Sequence, residues 1–413
     1  MKPVGIAAAQ SGPGVATRRQ LLFGGVAAGA GAALALGSER LGTHAAETQP
    51  ALRGPPLHGG EIVPFHGEHQ AGIGTDAQAH ATVISLVLRP DTDRDALRRM
   101  MRLLTDDAAR LTAGVPALAD SEPELATNPA NLTVTFGFGL EFVTRAGGAV
   151  PSWLAPLPAF SIDRLRPEFT GGDLMIQVAA DDPLTVAHTV RMLLKDTRSF
   201  TGVAWVQQGF RYAHATVAPG TTMRNLFGQV DGSANPLPGT DEFDKIVWCD
   251  DGWLAGGTGM VVRRIEMNLD TWDELDREGR EFAIGRTLDT GAPLTGKSEH
   301  DDPDFTAKGP LGFPVIDDIA HIRRARGEDP AQRIFRRGYN YDVPPSRAGE
   351  VSDAGLIFIS FQADVATQYT PIQERLAKVD LLNVWTTPVG SAVFAIPPGC
   401  RKGGYVGETL LEV

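Results

Sequence analysis

Two stretches of this 413-residue chain repeat the same order of apolar strand, aspartate and helix, and this repeat limits the possible folds more than any other feature. The first, LMIQVAADDPLTVAHTVRMLL, spans residues 174–194, and the second, LIFISFQADVATQYTPIQERL, spans residues 356–376. Each begins with a run of strand composition, passes through Ala-Asp and ends in a helical pattern. The duplication predicts two similar units, and the chain exceeds the roughly 250–300 residues at which single cores stop growing.

The elements around both stretches follow the order βαββαβ, which predicts an α+β fold of two ferredoxin-like units with antiparallel sheets. In the second unit we expect Thr271 to cap the first helix. The strands are predicted at 80–88, 131–139, 171–180 and 202–212, then at 257–269, 336–342, 355–363 and 391–399. The helices are predicted over 93–111 and 184–196, then over 271–282 and 366–379.

The N-terminus has the layout of an export signal. Arg18 and Arg19 precede an apolar stretch over residues 21–36, which is short and rich in glycine and alanine for a membrane span. The paired arginines indicate the twin-arginine route. We therefore expect the translocase of that route as a transient partner, a periplasmic or extracellular location, and no stable membrane span after cleavage. Export of folded protein also favours an enzyme that carries a cofactor.

The net charge of −12 provides no basic surface that could bind nucleic acid.

The patterns described above also predict how the chain is organised. A long insertion over about 285–335 is expected to be functional or disordered. The predicted segments are a signal at 1–46, an irregular arm at 47–64, an N-terminal unit at 65–215, a linker at 216–256 and a C-terminal unit at 257–413.

The linker contains NLFGQVDGSANP, residues 225–236, in which small residues surround Asp231. Such a segment can be a tight turn, or it can hold an acid open toward a ligand. Arg336 and Arg337 begin a predicted strand, so their side chains should point to opposite faces. An inward Arg336 needs an anionic partner, because an unpaired buried charge is costly. Asp231 is one candidate for that partner.

The histidines and cysteines leave several alternatives open. His66 and His69 have the spacing of half a metal site, and His300 lies in an acidic turn that could hold calcium, although a solvated turn is favoured. His321 sits in a short apolar helix followed by arginines, as either a core histidine or an axial ligand of haem. Cys249 and Cys400 form one disulfide or remain two buried thiols.

Taken together, these motifs resemble the dye-decolourising peroxidase family, in the branch exported by the twin-arginine route. The resemblance covers about residues 61–413. GQVDGSANP matches the family motif G-x-x-D-G, AHIRRA matches the proximal histidine segment at His321, and RIFRRGYNYD matches the distal arginine motif. That motif assigns its role to Arg336, with Arg337 as second choice. The family's Asn-Pro-Arg motif is missing after AHIRRA, and Arg324 or Arg326 could substitute for it.

The resemblance implies one haem b per chain, held in the second unit, and reduction of hydrogen peroxide with oxidation of dyes, phenols or other bulky donors. Asp231 would be the acid–base group and Arg336 the group that stabilises developing charge. Iron release from haem and non-enzymatic haem binding are the alternatives. The resemblance implies that His321 binds the iron and that the haem also contacts Gly232, Ser233, Ala234, Arg324, Arg336, Leu356 and Phe358. If the opposite face of the strand predicted at 355–363 meets the haem, Ile359 and Phe361 replace Leu356 and Phe358. The candidates for electron transfer to the surface are Tyr339, Tyr341, Tyr369, Trp253 and Trp385.

Overall fold

The computed structural model describes residues 58–345 and 353–412. The predicted signal, with Arg18 and Arg19, lies outside the described residues, as does most of the predicted arm, so export stays a prediction. The first half contains β1 (His80–Leu88), α1 (Arg94–Thr112), β2 (Thr133–Phe138), α2 (Leu140–Ala146), β3 (Leu174–Ala180), α3 (Pro183–Thr197) and β4 (Thr201–Phe210).

The second half follows a segment that contains α4 (Asp241–Val247). Its strands are β5 (Thr258–Met267), β6 (Phe335–Arg336), β7 (Tyr339–Val343), β8 (Asp353–Gln362) and β9 (Thr386–Ile396). Its helices are α5 (Leu269–Asp273), α6 (Arg277–Ile284), α7 (His321–Ala325), α8 (Thr370–Val379) and α9 (Glu408–Leu411). Short 3₁₀ turns lie at Pro123–Ala126, Pro167–Phe169, Gly252–Leu254 and Leu381–Val384, and a π-helical turn spans Val365–Tyr369.

The two halves form antiparallel sheets of the same ferredoxin-like topology, in the orders β2-β3-β1-β4 and β9-β5-β8-β7. Strand β2 pairs with β9 at Phe138 and Ala395, and β4 pairs with β7 at Phe210 and Asn340. These two short pairings close the sheets into one ring. The interior is filled from both sheets by side chains that include Val83, Met175, Trp205, Met260, Ile357, Ile359, Phe361 and Phe394.

An aspartate soon after the repeated strand caps the following helical segment in both halves. Asp182 accepts a hydrogen bond from the backbone N–H of Thr185 and begins α3, while Asp364 accepts one from Thr367 and begins the π-helical turn that leads into α8. The expected cap at Thr271 is wrong. Two short helices replace the single predicted helix, and their caps are Asn268 and Asp276.

The two cysteines are free thiols, which settles the alternative that the sequence left open. Cys249 donates to the carbonyl of Ala363 at 3.2 Å, and buried Cys400 lies 3.6 Å from Nδ1 of His66. Burial raises the pKa of Cys249 to about 12 and that of Cys400 to about 11, so both are poor nucleophiles near neutral pH. Within the described ranges, no helix is long and apolar enough to cross a bilayer.

A pair of carboxyl groups lies where α1 packs on α3. Asp107 is 1% exposed. Burial of Asp196, together with the charge of the neighbouring Asp107, raises the pKa of Asp196 to about 7. The folded chain therefore keeps a proton on this pair that the unfolded chain has already released above about pH 4. Its contribution to the free energy of unfolding falls as pH rises from about 4 to about 7.

We expect Asp196→Asn to raise the free energy of unfolding at pH 8 by about 1–2 kcal/mol, after allowance for solvent screening of a half-buried group. At pH 4 it should change little, because the carboxyl is already neutral. Chemical unfolding at both pH values measures the difference. Asp106→Asn, at the exposed neighbouring position on α1, is the control. An equal effect of Asp196→Asn at both pH values would contradict this origin.

Candidate active site

The glycine-flanked segment is both a tight turn and a holder for its acid. The side chain of Asn225 accepts hydrogen bonds from two backbone N–H groups of the turn, at 3.1 and 3.2 Å. Gly228 (φ 79°) and Gly232 (φ 136°) adopt backbone conformations that favour glycine. The backbone N–H of Asp231 donates to the carbonyl of Met223 at 2.8 Å, which fixes the position of the acid between the two glycines.

Asp231 forms an ion pair with Arg336. Nη1 of Arg336 donates to Oδ1 of Asp231 at 2.7 Å, and the two side chains are 28% and 14% exposed. From the described residues, Oδ2 of Asp231 accepts only a longer bond, of 3.3 Å, from Nδ2 of Asn225. The pair is thus desolvated on one side but retains a carboxylate oxygen that can exchange a proton.

Asn235 fixes the backbone of Arg336, a role that the sequence did not reveal. Its side chain donates to the carbonyl of Arg336 at 2.7 Å and accepts from the backbone N–H at 2.9 Å. This paired contact joins the turn to β6. The only sequence signal was the position of Asn235 in the SANP segment, where an asparagine can also begin an ordinary turn.

Arg337 points to the other side of the strand and cannot serve the site. It is 2% exposed and donates to the backbone carbonyls of Ile73, Thr75 and Asp76 and to the side chain of Gln78. Arg337, the second choice for the distal arginine, therefore has a structural role. The alternation expected for neighbouring strand residues separates the two arginines.

Strand β8 shows the same alternation. Arg336 pairs with Ser360, so Leu356 and Phe358 lie on the face of the sheet that carries Arg336. Ile359 and Phe361, the other register considered, point into the ring interior. Leu356 and the partly buried Phe358 pack with a separate apolar cluster outside the ring.

His321 begins helix α7 and has a carboxylate partner. Its Nδ1 donates to Oδ2 of Asp380 at 2.7 Å, which leaves Nε2 as the nitrogen available to a ligand. Burial disfavours the charged imidazolium, but the charge and hydrogen bond of Asp380 outweigh this and raise the pKa of His321. A hydrogen bond from the Leu381 backbone N–H to the Ile319 carbonyl, 2.9 Å long, holds the two segments together.

The histidine and the ion pair lie within electrostatic range of each other. The charge of Arg336 lowers and that of Asp231 raises the pKa of His321, so both groups lie within electrostatic range of the imidazole. The side chain of His321 is 28% exposed although Asp380 is only 3% exposed. The imidazole edge is thus available to a further group. An imidazole within electrostatic range of an acid–arginine pair is a set of groups suited to haem iron.

Two unpartnered polar atoms lie among the predicted contact residues. Oγ of Ser233, next to Gly232, is buried and makes no hydrogen bond within the described residues, and the same is true of Nε of Arg324. Arg326 is exposed and paired with Asp302 at 3.0 Å. Of the two proposed substitutes for the missing motif, Arg324 is therefore the one whose charge has no carboxylate partner among the described residues. Ala234 is exposed, and its carbonyl accepts a hydrogen bond from Arg333.

Three of the other histidines have local partners. His69 stacks on Trp248 with ring centroids 3.7 Å apart, and Nε2 of His188 lies 2.8 Å from Asp120. Nδ1 of His300 lies 3.4 Å from the carbonyl of Ser233, which brings the acidic turn against the glycine-flanked segment. Across residues 58–345 and 353–412, no group of three or more His, Cys, Asp and Glu side chains could hold a metal ion. Asp301 instead accepts two backbone N–H bonds within its turn.

Family profiles match most of the chain. The profile "Dyp-type peroxidase, N-terminal" matches residues 70–211, and "Dyp-type peroxidase, C-terminal" matches residues 222–401. The chain therefore belongs to the Dyp-type peroxidase family and is a haem peroxidase, an oxidoreductase.

Individual proteins show the same relationship. A dye-decolorizing peroxidase of Thermobifida fusca (strain YX) is 40% identical over 361 residues, which are 83% of this chain and 84% of the relative. A deferrochelatase of Yersinia pestis bv. Antiqua (strain Nepal516) is 34% identical over 420 residues, 96% of this chain and 95% of the relative. The crystal structure of a DyP-type peroxidase from Cellulomonas bogoriensis has a TM-score of 0.84 at 54% identity and covers 87% of this chain and 100% of that chain.

We expect Asp380→Asn to weaken haem binding by about 10–100-fold, the range typical for the hydrogen-bond partner of a metal-bound histidine. The substituted side chain can still accept from the backbone of Leu382, but it no longer presents a charge to His321. Titration of the apoprotein with haemin, followed by absorbance, measures the affinity. Asp317→Asn, on the segment before α7, is the control. Unchanged affinity in Asp380→Asn would argue against His321 as the ligand.

Proposed function

We propose that this protein is a haem b peroxidase that binds one haem per chain between His321 and the Asp231–Arg336 pair and reduces hydrogen peroxide. The observation that carries the proposal is the 2.7 Å ion pair within electrostatic range of a histidine whose Nδ1 is held by a carboxylate. His321 would bind the iron through Nε2. When bound, haem supplies the iron at which the peroxide bond is cleaved and stores the oxidising equivalents.

The chain's own groups would manage the proton and the charge of peroxide. Asp231 accepts a proton from peroxide and returns it to the departing oxygen, and Oδ2 is the atom suited to this because Oδ1 is engaged by Arg336. Arg336 stabilises the negative charge that develops on the departing oxygen. Asn235 keeps the arginine in place through both of its backbone bonds.

The haem contacts proposed for this chain surround those groups. Gly232 lets the backbone approach the cofactor closely, and the unpartnered Oγ of Ser233 is available to bind it. Ala234 would add a small contact at the exposed rim. Leu356 and Phe358 would give an apolar wall, and Arg324 would pair with a cofactor carboxylate.

We further propose that bulky donors, such as dyes and phenols, deliver electrons at Trp385. This half-buried side chain meets Trp272 edge to face at 5.2 Å, and Trp272 stacks on Phe227 at 4.3 Å. Phe227 belongs to the glycine-flanked turn, and Trp272 shares an apolar cluster with Leu356. These aromatic contacts lead from the surface toward the proposed cofactor site.

The other aromatic candidates are less suited to losing an electron. Guanidinium groups lie over the rings of Tyr339, at 4.8 Å, and Tyr341, at 3.8 Å, and a positive charge opposes oxidation of the ring. The hydroxyl of Tyr369 donates to the side chain of Gln373, which is not a base. Trp253 packs on Phe138 near the helices of the N-terminal half.

Iron release from haem is the second candidate function. It is supported by the deferrochelatases among the relatives, such as the Yersinia pestis protein at 34% identity over 96% of this chain. Haem carriage without catalysis is less well supported, because a carrier does not require an acid and an arginine next to each other. Both alternatives use the same His321.

We expect Asp231→Asn and Arg336→Leu to retain haem and to slow peroxide consumption by about 10²–10⁴-fold, as loss of an acid–base group or a charge-stabilising donor does. Stopped-flow absorbance after mixing with hydrogen peroxide measures the rate. Asp289→Asn, an exposed acid near the turn, is the control.

Two outcomes of that experiment would contradict the proposal. If both variants consumed peroxide at the wild-type rate, the roles of Asp231 and Arg336 would be wrong. If the wild-type protein ignored peroxide but converted haem to free iron and intact porphyrin, iron release would be the function.

We expect Trp385→Phe to slow oxidation of a bulky anthraquinone dye by about tenfold, or about 1.4 kcal/mol in activation free energy. Oxidation of a small donor that can reach the haem edge should be unchanged. Steady-state rates with both donors test this, with Trp253→Phe as the matched control. Equal losses for both donors, or no loss for the dye, would exclude Trp385 as the entry point.

A further inference from the structure

The side-chain amide of Asn225 faces Asp231 in one fixed orientation. Its oxygen, Oδ1, accepts hydrogen bonds from the backbone N–H groups of Phe227 at 3.1 Å and Gln229 at 3.2 Å. Because both of these groups are donors, the oxygen must point toward them and the NH₂ group must point away. The atom that lies 3.3 Å from Oδ2 of Asp231 is therefore Nδ2, which can only donate.

The second hydrogen of this NH₂ group also has an acceptor. Oε1 of Gln229 lies 3.5 Å from Nδ2 of Asn225, and Gln229 is only 6% exposed. Gln229 thus turns its oxygen toward Asn225, while its own Nε2 makes no hydrogen bond within the described residues. With its two hydrogens directed at two acceptors, the NH₂ group of Asn225 presents a donor to Asp231 and has no acceptor to offer in exchange.

Both carboxylate oxygens of Asp231 therefore face a donor on one side. Nη1 of Arg336 donates to Oδ1 at 2.7 Å, and Nδ2 of Asn225 donates to Oδ2 at 3.3 Å. Arg211, which follows β4, and His321 on α7 also lie within electrostatic range of Asp231. A proton that Asp231 accepts cannot lie toward Arg336 or Asn225, because two hydrogens would then face each other. On Oδ2 it must lie on the side away from Asn225.

We propose that Asn225 is a positioning residue for the peroxide reaction and directs the transferred proton to the free side of Oδ2, an inference that rests on the proposed function. In this role Asn225 acts through Asp231 and contacts neither peroxide nor the cofactor. A purely structural role, as the acceptor that closes the turn, would need only Oδ1 of Asn225. The two roles therefore use different atoms of the same amide.

Asn225→Asp separates the two roles, because a carboxylate still accepts from the backbone of the turn but no longer donates to Asp231. Two carboxyl groups that face each other share a proton, so Asp231 cannot act as a base until that proton leaves. On the acid side, the pH at which the rate of peroxide consumption falls to half should therefore move upward by about 1–2 units. Stopped-flow absorbance over a series of pH values measures the rate.

The apoprotein provides a second measurement that does not depend on catalysis. Infrared spectra near pH 6 should show one more protonated carboxyl group in Asn225→Asp than in wild type, and adding Asp231→Asn to that variant should remove it. Asn268→Asp is the matched control, because the side chain of Asn268 also accepts a backbone N–H, from Thr271 at the start of α5. This control should change neither the pH profile nor the number of protonated carboxyl groups.

A wild-type pH profile in Asn225→Asp would overturn the inference. An equal loss of rate at every pH, without an additional protonated carboxyl group, would also overturn it and would show that Asn225 serves only the structure of the turn. If the wild-type protein did not consume peroxide, the proposed function would fail instead. The infrared comparison would then still decide whether Asn225 donates to Asp231.

Discussion

The ion pair between Asp231 and Arg336 joins parts of the chain that are 105 residues apart. The acid comes from a turn between the two halves, and the arginine from a two-residue strand at the edge of the second sheet. Strand β6 has only two pairing residues and cannot hold its place alone. The paired hydrogen bonds of Asn235 to Arg336 make the turn and the strand one structure. The site therefore depends on this junction more than on either sheet.

The sequence predicted the repeated topology well because its signal is local. Each strand has a regular apolar pattern, and Asp182 and Asp364 begin the following helical segments through short-range capping bonds. The opposite directions of Arg336 and Arg337 also follow from the geometry of a strand. The wrong prediction of a helix cap at Thr271 also has a local origin. Asn268 lies three residues earlier and caps the helix first, and Asp276 then begins another helix.

Contacts between distant segments could not be predicted in this way. Asp380 lies at the end of α8 in a sequence typical of any helix terminus, and only the fold brings it to His321. Closure of the ring is also invisible in the sequence, because each joint is a single residue pair, Phe138 with Ala395 and Phe210 with Asn340.

The alternation at β6 has a consequence for how this chain can tolerate changes in length. Phe335 pairs with Phe361 and faces the ring interior, so the pairing fixes which arginine enters the site. An insertion or deletion before Phe335 can be absorbed by the irregular segment after α7, and the order of side chains on the strand stays the same. One residue added between Phe335 and Arg336 would exchange the two faces and turn Arg336 away from Asp231, toward the backbone carbonyls that Arg337 contacts. The length of the loop before β6 can therefore vary during evolution, whereas the spacing of residues within β6 cannot.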